Sequence, residues 1–133
     1  MDYASLKVEE FTSPNPITAN IDSGLKELLD VMSKNSIRHL PVEENGELVG
    51  ILSQRDVKVA LSLDQHIRLT AADVMNPEPF SVSVDTTIED AALEMSKRKI
   101  GSAIVMDTNG KTYGIFTSTD ALNALIEVVR GTV

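Results

Sequence analysis

GILSQRD, residues 50–56, returns near the end of the chain as GIFTSTD, residues 114–120. In both, an apolar run of strand character ends in a hydroxyl residue, and an aspartate follows three positions later. Ser53 with Asp56, and Thr117 with Asp120, have the spacing at which a hydroxyl caps a new helix while an acid reaches back from its first turn. The same spacing gathers a hydroxyl, backbone N–H groups and a carboxylate at a helix N-terminus, where an anion can be held. The surrounding sequence decides between these readings.

Working outward, the similarity extends along the chain. A shift of about sixty residues aligns Pro14, Pro16, Asp22, Met32, Ser33, Lys34, Ile37 and Val42 with Pro77, Pro79, Asp85, Met95, Ser96, Lys97, Ile100 and Val105. After one inserted residue, Asn45, Gly46, Gly50, Ile51, Asp56, Ala60 and Leu61 align with Asn109, Gly110, Gly114, Ile115, Asp120, Ala124 and Leu125. The chain is one unit written twice, with copies at residues 6–63 and 72–129.

Each copy opens with a Pro-marked loop, SPNPIT or NPEPFS, leading into a short extended piece. A helix follows, with Leu25, Leu28, Leu29 and Met32, or Ile88, Ala91, Ala92 and Met95, forming an apolar stripe. Asp22 or Ser23 is expected to cap the first of these helices, and Thr86 with Glu89 the second. HLPVE and SAIVM read as buried strands, and the Asn-Gly pairs beyond them as hairpin turns that need positive φ. A second helix carries Val57, Ala60 and Leu61 in one copy, and Ala121, Leu122, Ala124 and Leu125 in the other. The segment SLDQHIRLTAADV reads as helix end and connector. A hairpin with two short helices has little core of its own, so the two copies are expected to pack as one pseudo-twofold module.

Composition narrows the function classes. At 133 residues, with 42% hydrophobic and 24% charged residues, the chain has the size and balance of one folded domain. A formal charge of −8, without a basic run, opposes nucleic-acid binding. There is no cysteine, and His39 and His66 stand at no metal-ligand spacing, so no metal or cofactor requirement is expected. No apolar run approaches the ~20 residues that cross a bilayer, and MDYASLKVEE lacks the regions of a signal peptide. A cytoplasmic location without membrane association is the expectation.

The doubled pattern resembles the tandem CBS-domain family, whose pairs form a single module that binds adenosine-containing ligands. The resemblance covers about Leu6 to Val129 and rests on PNPIT and PEPFS, SIRHLPV and KIGSAIV, and GILSQRD and GIFTSTD, in the same order twice. It implies an α/β (α+β) fold of two pseudo-symmetric β-α-β-β-α units packed through their sheets, with clefts between them. It also implies that Ser53 and Thr117 contact phosphate, and that Asp56 and Asp120 bind ribose hydroxyls. Thr18 and Ser81 map to the loop before the first helix of each copy. Arg38, His39 and Leu40, or Gly101, Ser102 and Ala103, map to positions beside the nucleotide, often contacting it through backbone groups.

The chemistry agrees with that implication. A carboxylate can accept from two vicinal hydroxyls, and a hydroxyl with helix amides can hold a phosphate. Ile17, Ile37 and Ile51 can flank a base while backbone groups read its edge. Arg55, with Arg38 and His39, can offset the repulsion between phosphate and Asp56. Copy two has Thr119, Gly101 and Ser102 at the positions of these three cations, so the two sites are expected to be unequal.

Plainer readings stand beside these. Each Ser/Thr–Asp pair can simply cap its helix, at about 1 kcal/mol per cap. His39 can be a structural strand histidine, Arg55 a solvated helix residue, and Met32 and Met95 core residues. Glu43, Glu44 and Glu47 suit a solvated turn, and Asp64, His66 and Asp73 stand near the connector with no paired nucleophile at a readable spacing.

The reading reached is a regulatory module that is not an enzyme. It senses AMP, ADP or ATP, with an S-adenosyl compound as a further candidate, and acts through homodimerisation or an effector protein. With almost no chain outside the repeats, an attached effector domain is not expected. The apolar stripes of the first and last helices are expected to exceed what the module covers, favouring a face-to-face dimer. One alternative is a ligand-free interaction module with vestigial clefts. Another is a nucleotide-processing enzyme, which requires turnover and an acid, base or metal in the cleft.

Overall fold

The computed structural model describes residues 5–63 and 68–132, so the connector residues Asp64 and His66 lie outside the described residues. It shows a mixed α+β chain. In order, the elements are β1 (Ser13–Pro14), β2 (Ala19–Asn20), α1 (Leu25–Lys34), β3 (His39–Glu44), β4 (Glu47–Ser53), α2 (Gln54–Leu63), α3 (Ala71–Val74), β5 (Ser81–Ser83), α4 (Ile88–Arg98), β6 (Ser102–Met106), β7 (Thr112–Thr117) and α5 (Ser118–Arg130). A short 3-10 helix, Val8–Phe11, precedes them. The chain divides into two compact units, Ile17–Pro79 and a second that joins residues up to Pro16 with those from Phe80 onward. These units and the sequence repeats have different boundaries.

In the Ile17–Pro79 unit the sheet runs β2-β3-β4, with β2 parallel and β4 antiparallel to β3. Leu25, Leu28 and Met32 repeat at helical spacing on α1 and are buried with Leu40, Val42, Leu52 and Val57. In the other unit the sheet runs β1-β7-β6-β5, and Ala91 and Met95 of α4 are buried with Val84, Ala103, Val105 and Phe116. Met32 and Met95 are therefore core residues, as their matching positions suggest.

The segment leading into each repeat is built into the unit of the other repeat. Leu69 accepts from the first amide of α1 at 3.1 Å, and Leu6 accepts from that of α4 at 2.9 Å. Ala71 donates to Ser23, while the equivalent Val8 donates to Thr86. Further along, Ile51 and Asn76 exchange both backbone hydrogen bonds at the open edge of β4, and Ser13–Pro14 pairs with β7. Each leader thereby covers a sheet edge whose backbone groups need partners. Gly50 and Gly114 permit the close crossing: a Cβ on Gly50 meets Asn76 O at 2.7 Å, and one on Gly114 runs into the Ser13 carbonyl oxygen and Thr12 Cγ2.

The leaders also change the expected caps. The N-cap of α1 is Gly24, without a side-chain hydrogen bond, so neither Asp22 nor Ser23 serves; the Leu69 carbonyl satisfies the helix instead. For α4 the cap is Thr87, whose hydroxyl accepts from Asp90 N at 3.1 Å. Thr86, the expected cap, accepts from Ser83 N at 3.2 Å. The hairpins differ as well. Asn45 and Gly46 both take positive φ, whereas in the longer second loop Gly110 alone of the Asn-Gly pair does so, and the Asp107 carboxylate accepts from the amides of Asn109 and Lys111.

Candidate functional site

Antiparallel pairing sets the site in the Ile17–Pro79 unit. His39, the first residue of β3, is the register partner of Ser53, the last residue of β4. Directly opposed residues share a sheet face with Cβ atoms roughly 4.5–5.5 Å apart, so the imidazole and the hydroxyl are neighbours. Gln54 N donates to Arg38 O at 2.7 Å, fixing the turn from strand to helix. The Ser53 hydroxyl then accepts from Asp56 N at 3.1 Å. Two of the first three amides of α2 are thus engaged, leaving that of Arg55.

The charged groups at this corner are uncommitted. Among the described residues, the side chains of Arg38, Arg55 and Asp56 have neither an ion pair nor a hydrogen bond, and all three are exposed. His39 is half-buried. Burial, and after it the Arg38 guanidinium, hold its pKa below the usual histidine value, while Asp56 pulls the other way. Thr18, exposed just before β2, lies at the same end of the sheet but level with Pro41, since Ala19 pairs with Val42. That register sets it two residues, about 7 Å, along from His39. Ile37 and Ile51 are half-buried, and Ile17 is 42% exposed.

The second unit repeats the frame with different chemistry. Ser102 pairs with Thr117, and Ser118 N donates to Gly101 O at 3.0 Å. Here the acid is occupied. Asp120 Oδ2 accepts from Thr117 N at 2.8 Å and from the Thr117 hydroxyl at 3.0 Å, while Asp120 N donates back to that hydroxyl. This reciprocal cap is absent at Ser53–Asp56, where only the amide-to-hydroxyl bond is made. Ala103 is fully buried in the core, which leaves only its backbone for any contact, and Ser81 is exposed at the start of β5.

Of the residues singled out in the sequence, the structure brings Ser53, Asp56 and His39 together, and it adds a difference between the two carboxylates that the sequence reading missed. The contrast between a short serine and a β-branched threonine was its visible trace: stiffness at χ1 helps hold the Thr117 hydroxyl in the cap. Among the other acids, Asp73 accepts from the Thr70 amide and hydroxyl and caps α3. No helix is long and apolar enough to cross a membrane among the described residues.

Comparison with known proteins gives the family. The CBS domain family model matches residues 8–63 and 71–127. The chain is 29% identical to a CBS domain-containing protein of Dictyostelium discoideum, with 92% of this chain and 93% of that protein covered. It is 32% identical to the L-aspartate semialdehyde sulfurtransferase of Methanocaldococcus jannaschii, over 85% of this chain but 22% of that protein. Among solved structures, CBSX2 of Arabidopsis thaliana in complex with AMP aligns with a TM-score of 0.79 at 25% identity, covering 94% of this chain and 99% of that one. A CBS domain pair in complex with 5′-methylthioadenosine and S-adenosyl-L-methionine aligns with a TM-score of 0.79 at 29% identity, covering 96% and 98%.

Proposed function

The chain belongs to the CBS-domain family as a tandem pair, and from that premise we propose that it is a regulatory module sensing adenosine-containing ligands, with its principal site at Ser53, Asp56, Arg55, Arg38 and His39. One observation carries the choice of site: among the described residues, the carboxylate of Asp56 and the guanidiniums of Arg55 and Arg38 have no ion pair or hydrogen bond, and their backbones meet where Gln54 N bonds Arg38 O and Asp56 N bonds the Ser53 hydroxyl at the start of α2. Asp56 suits a pair of ribose hydroxyls, and the arginines with the Arg55 amide suit a phosphate. The AMP and S-adenosyl complexes of the similar CBS pairs support this ligand class. Thr18 and Ile37 border the same site, and Ser81, Ser102, Ala103, Thr117 and Asp120 form a weaker second one. The chain is read as a cytoplasmic binding protein without enzymatic turnover. The sulfurtransferase match spans too little of that enzyme to transfer its chemistry.

Thermal unfolding with AMP, ADP, ATP, S-adenosylmethionine and a GTP control tests the reading. A ligand at 100 times its dissociation constant stabilises the native state by about 2.7 kcal/mol, a shift of several degrees in melting temperature. No shift with any adenosyl compound in a folded sample leaves the ligand-free interaction module. Nucleotide breakdown on incubation, followed by product analysis, selects an enzyme.

Signalling is proposed to run through a homodimer or an effector protein, with the ligand favouring whichever arrangement binds it better. The stripe expected to remain uncovered on the first helix is in fact buried, since Leu25 is 1% and Met32 0% exposed. On α5 the small Ala124 faces inward, while Leu122, Leu125, Ile126 and Val129 remain exposed along one outer face. Spacing of three, four and seven residues is that of an apolar helix seam, and the aligned positions Lys58 and Ser62 on α2 are polar. A Leu125→Glu variant is expected to sediment as a folded monomer where the parent sediments as a dimer. A monomeric parent at tens of micromolar concentration removes the dimer from the proposal.

A further inference from the structure

Resting on the nucleotide reading above, we propose that His39 makes the first site selective for phosphate charge: its imidazole takes up a proton from solvent when a phosphate enters beside Ser53, so phosphorylated ligands bind more tightly as the solution becomes acidic.

The geometry supplies the coupling. His39 and Ser53 are register partners on one sheet face, and the Ser53 hydroxyl is already tied to the first turn of α2. An anion that reaches this hydroxyl and the Arg55 amide therefore comes within a few ångströms of the imidazole. The charged groups acting on His39 are Arg38, from the turn before β3, and Asp56, from α2. Burial and Arg38 together disfavour the protonated imidazole in the unliganded site, with Asp56 opposing them. A phosphate beside it favours the charged form. Its pKa then rises on binding, and by linkage affinity increases as pH falls through the interval between the free and bound values. Each unit of that rise permits up to about tenfold tighter binding. The second unit has Ser102 at the equivalent place and no proton to exchange there.

The folded-state sign runs oppositely. A histidine held below its ordinary value contributes stability that is present above pH 6.5 and lost as pH falls through its folded-state value, so acid weakens the free protein while strengthening the phosphate complex.

The test measures binding of AMP, ATP and adenosine between pH 6 and 8 by calorimetry, to the full chain and to His39→Gln. Nuclear magnetic resonance titration of the His39 Cε1 proton accompanies it, assigned by its loss in the variant. A phosphomonoester gains its own proton near about pH 6, so the ratio of parent to variant affinity is the quantity read. The expected result is a ratio that grows several-fold from pH 8 to pH 6 for AMP and ATP but not for adenosine, with the His39 pKa raised by AMP. A ratio independent of pH, or an imidazole pKa unmoved by bound AMP, overturns the His39 assignment while the nucleotide reading stands. Absence of binding by all three compounds overturns the His39 assignment, and the adenosyl reading falls with it when S-adenosylmethionine also fails to bind. A His39→Gln protein that melts as the parent does but loses AMP binding equally at every pH makes His39 an ordinary contact and also overturns the proposal.

Discussion

Replacing Gly114 by alanine is expected to destabilise the chain by about 1–3 kcal/mol, visible as a lower urea midpoint with an unchanged slope. The added methyl lands against the Ser13 carbonyl oxygen and lies 2.7 Å from Thr12 Cγ2. Neither neighbour can yield cheaply. Thr12 is buried, its hydroxyl donating to Val8 O at 2.7 Å, and Ser13–Pro14 is paired with β7. The methyl must therefore push the leader off the strand, reopening an edge that water or another chain has to satisfy. Gly46 is the control: a Cβ there meets nothing within 4 Å, and its cost is confined to the positive φ of 79°. A Gly114→Ala protein as stable as the parent would show that the leader adjusts without loss.

The second large effect concerns ligand rather than fold. Asp56→Ala is expected to abolish the roughly 2.7 kcal/mol of stabilisation conferred by a saturating adenosyl ligand. Its free-state stability is expected to change by less than about 1 kcal/mol, because the carboxylate accepts no hydrogen bond from the described residues and its benefit is favourable charge at a helix start. Asp120→Ala is expected to behave in the opposite way. It loses the reciprocal cap, at about 1 kcal/mol, and keeps the ligand-induced shift. If both variants lose the shift equally, the two sites contribute alike and the preference for the first is mistaken. Melting curves with and without AMP or S-adenosylmethionine, together with Asp56→Asn, separate loss of charge from loss of a hydrogen-bonding group.

Legibility in the sequence followed the range of the interactions involved. The strands HLPVE and SAIVM, the helix stripes through Met32 and Met95, and the Thr117–Asp120 cap were readable because each depends on residues a few positions apart. The caps at Asp22, Ser23 and Thr86 were misread because the amides they were meant to satisfy are met by Leu69 and by Leu6, or by the neighbouring Thr87. No local pattern reports such partners. The stripe on α1 was likewise expected to stay uncovered, yet Leu40, Val42 and Leu52 bury it, an outcome set by strand register.

The sequence by itself determined the doubled plan, the helix and strand types, and the family, since periodicity, turn chemistry and repeated motifs are properties of order along the chain. Only the tertiary structure decided that each leader completes the other repeat's unit, that Gly50 and Gly114 are crossing points, and that Asp56 is free where Asp120 is bound. The physical reason is that an edge strand, an orphan amide or a carboxylate finds its partner in space, and that partner here stands as many as 102 residues away, the separation of Ser13 from Ile115.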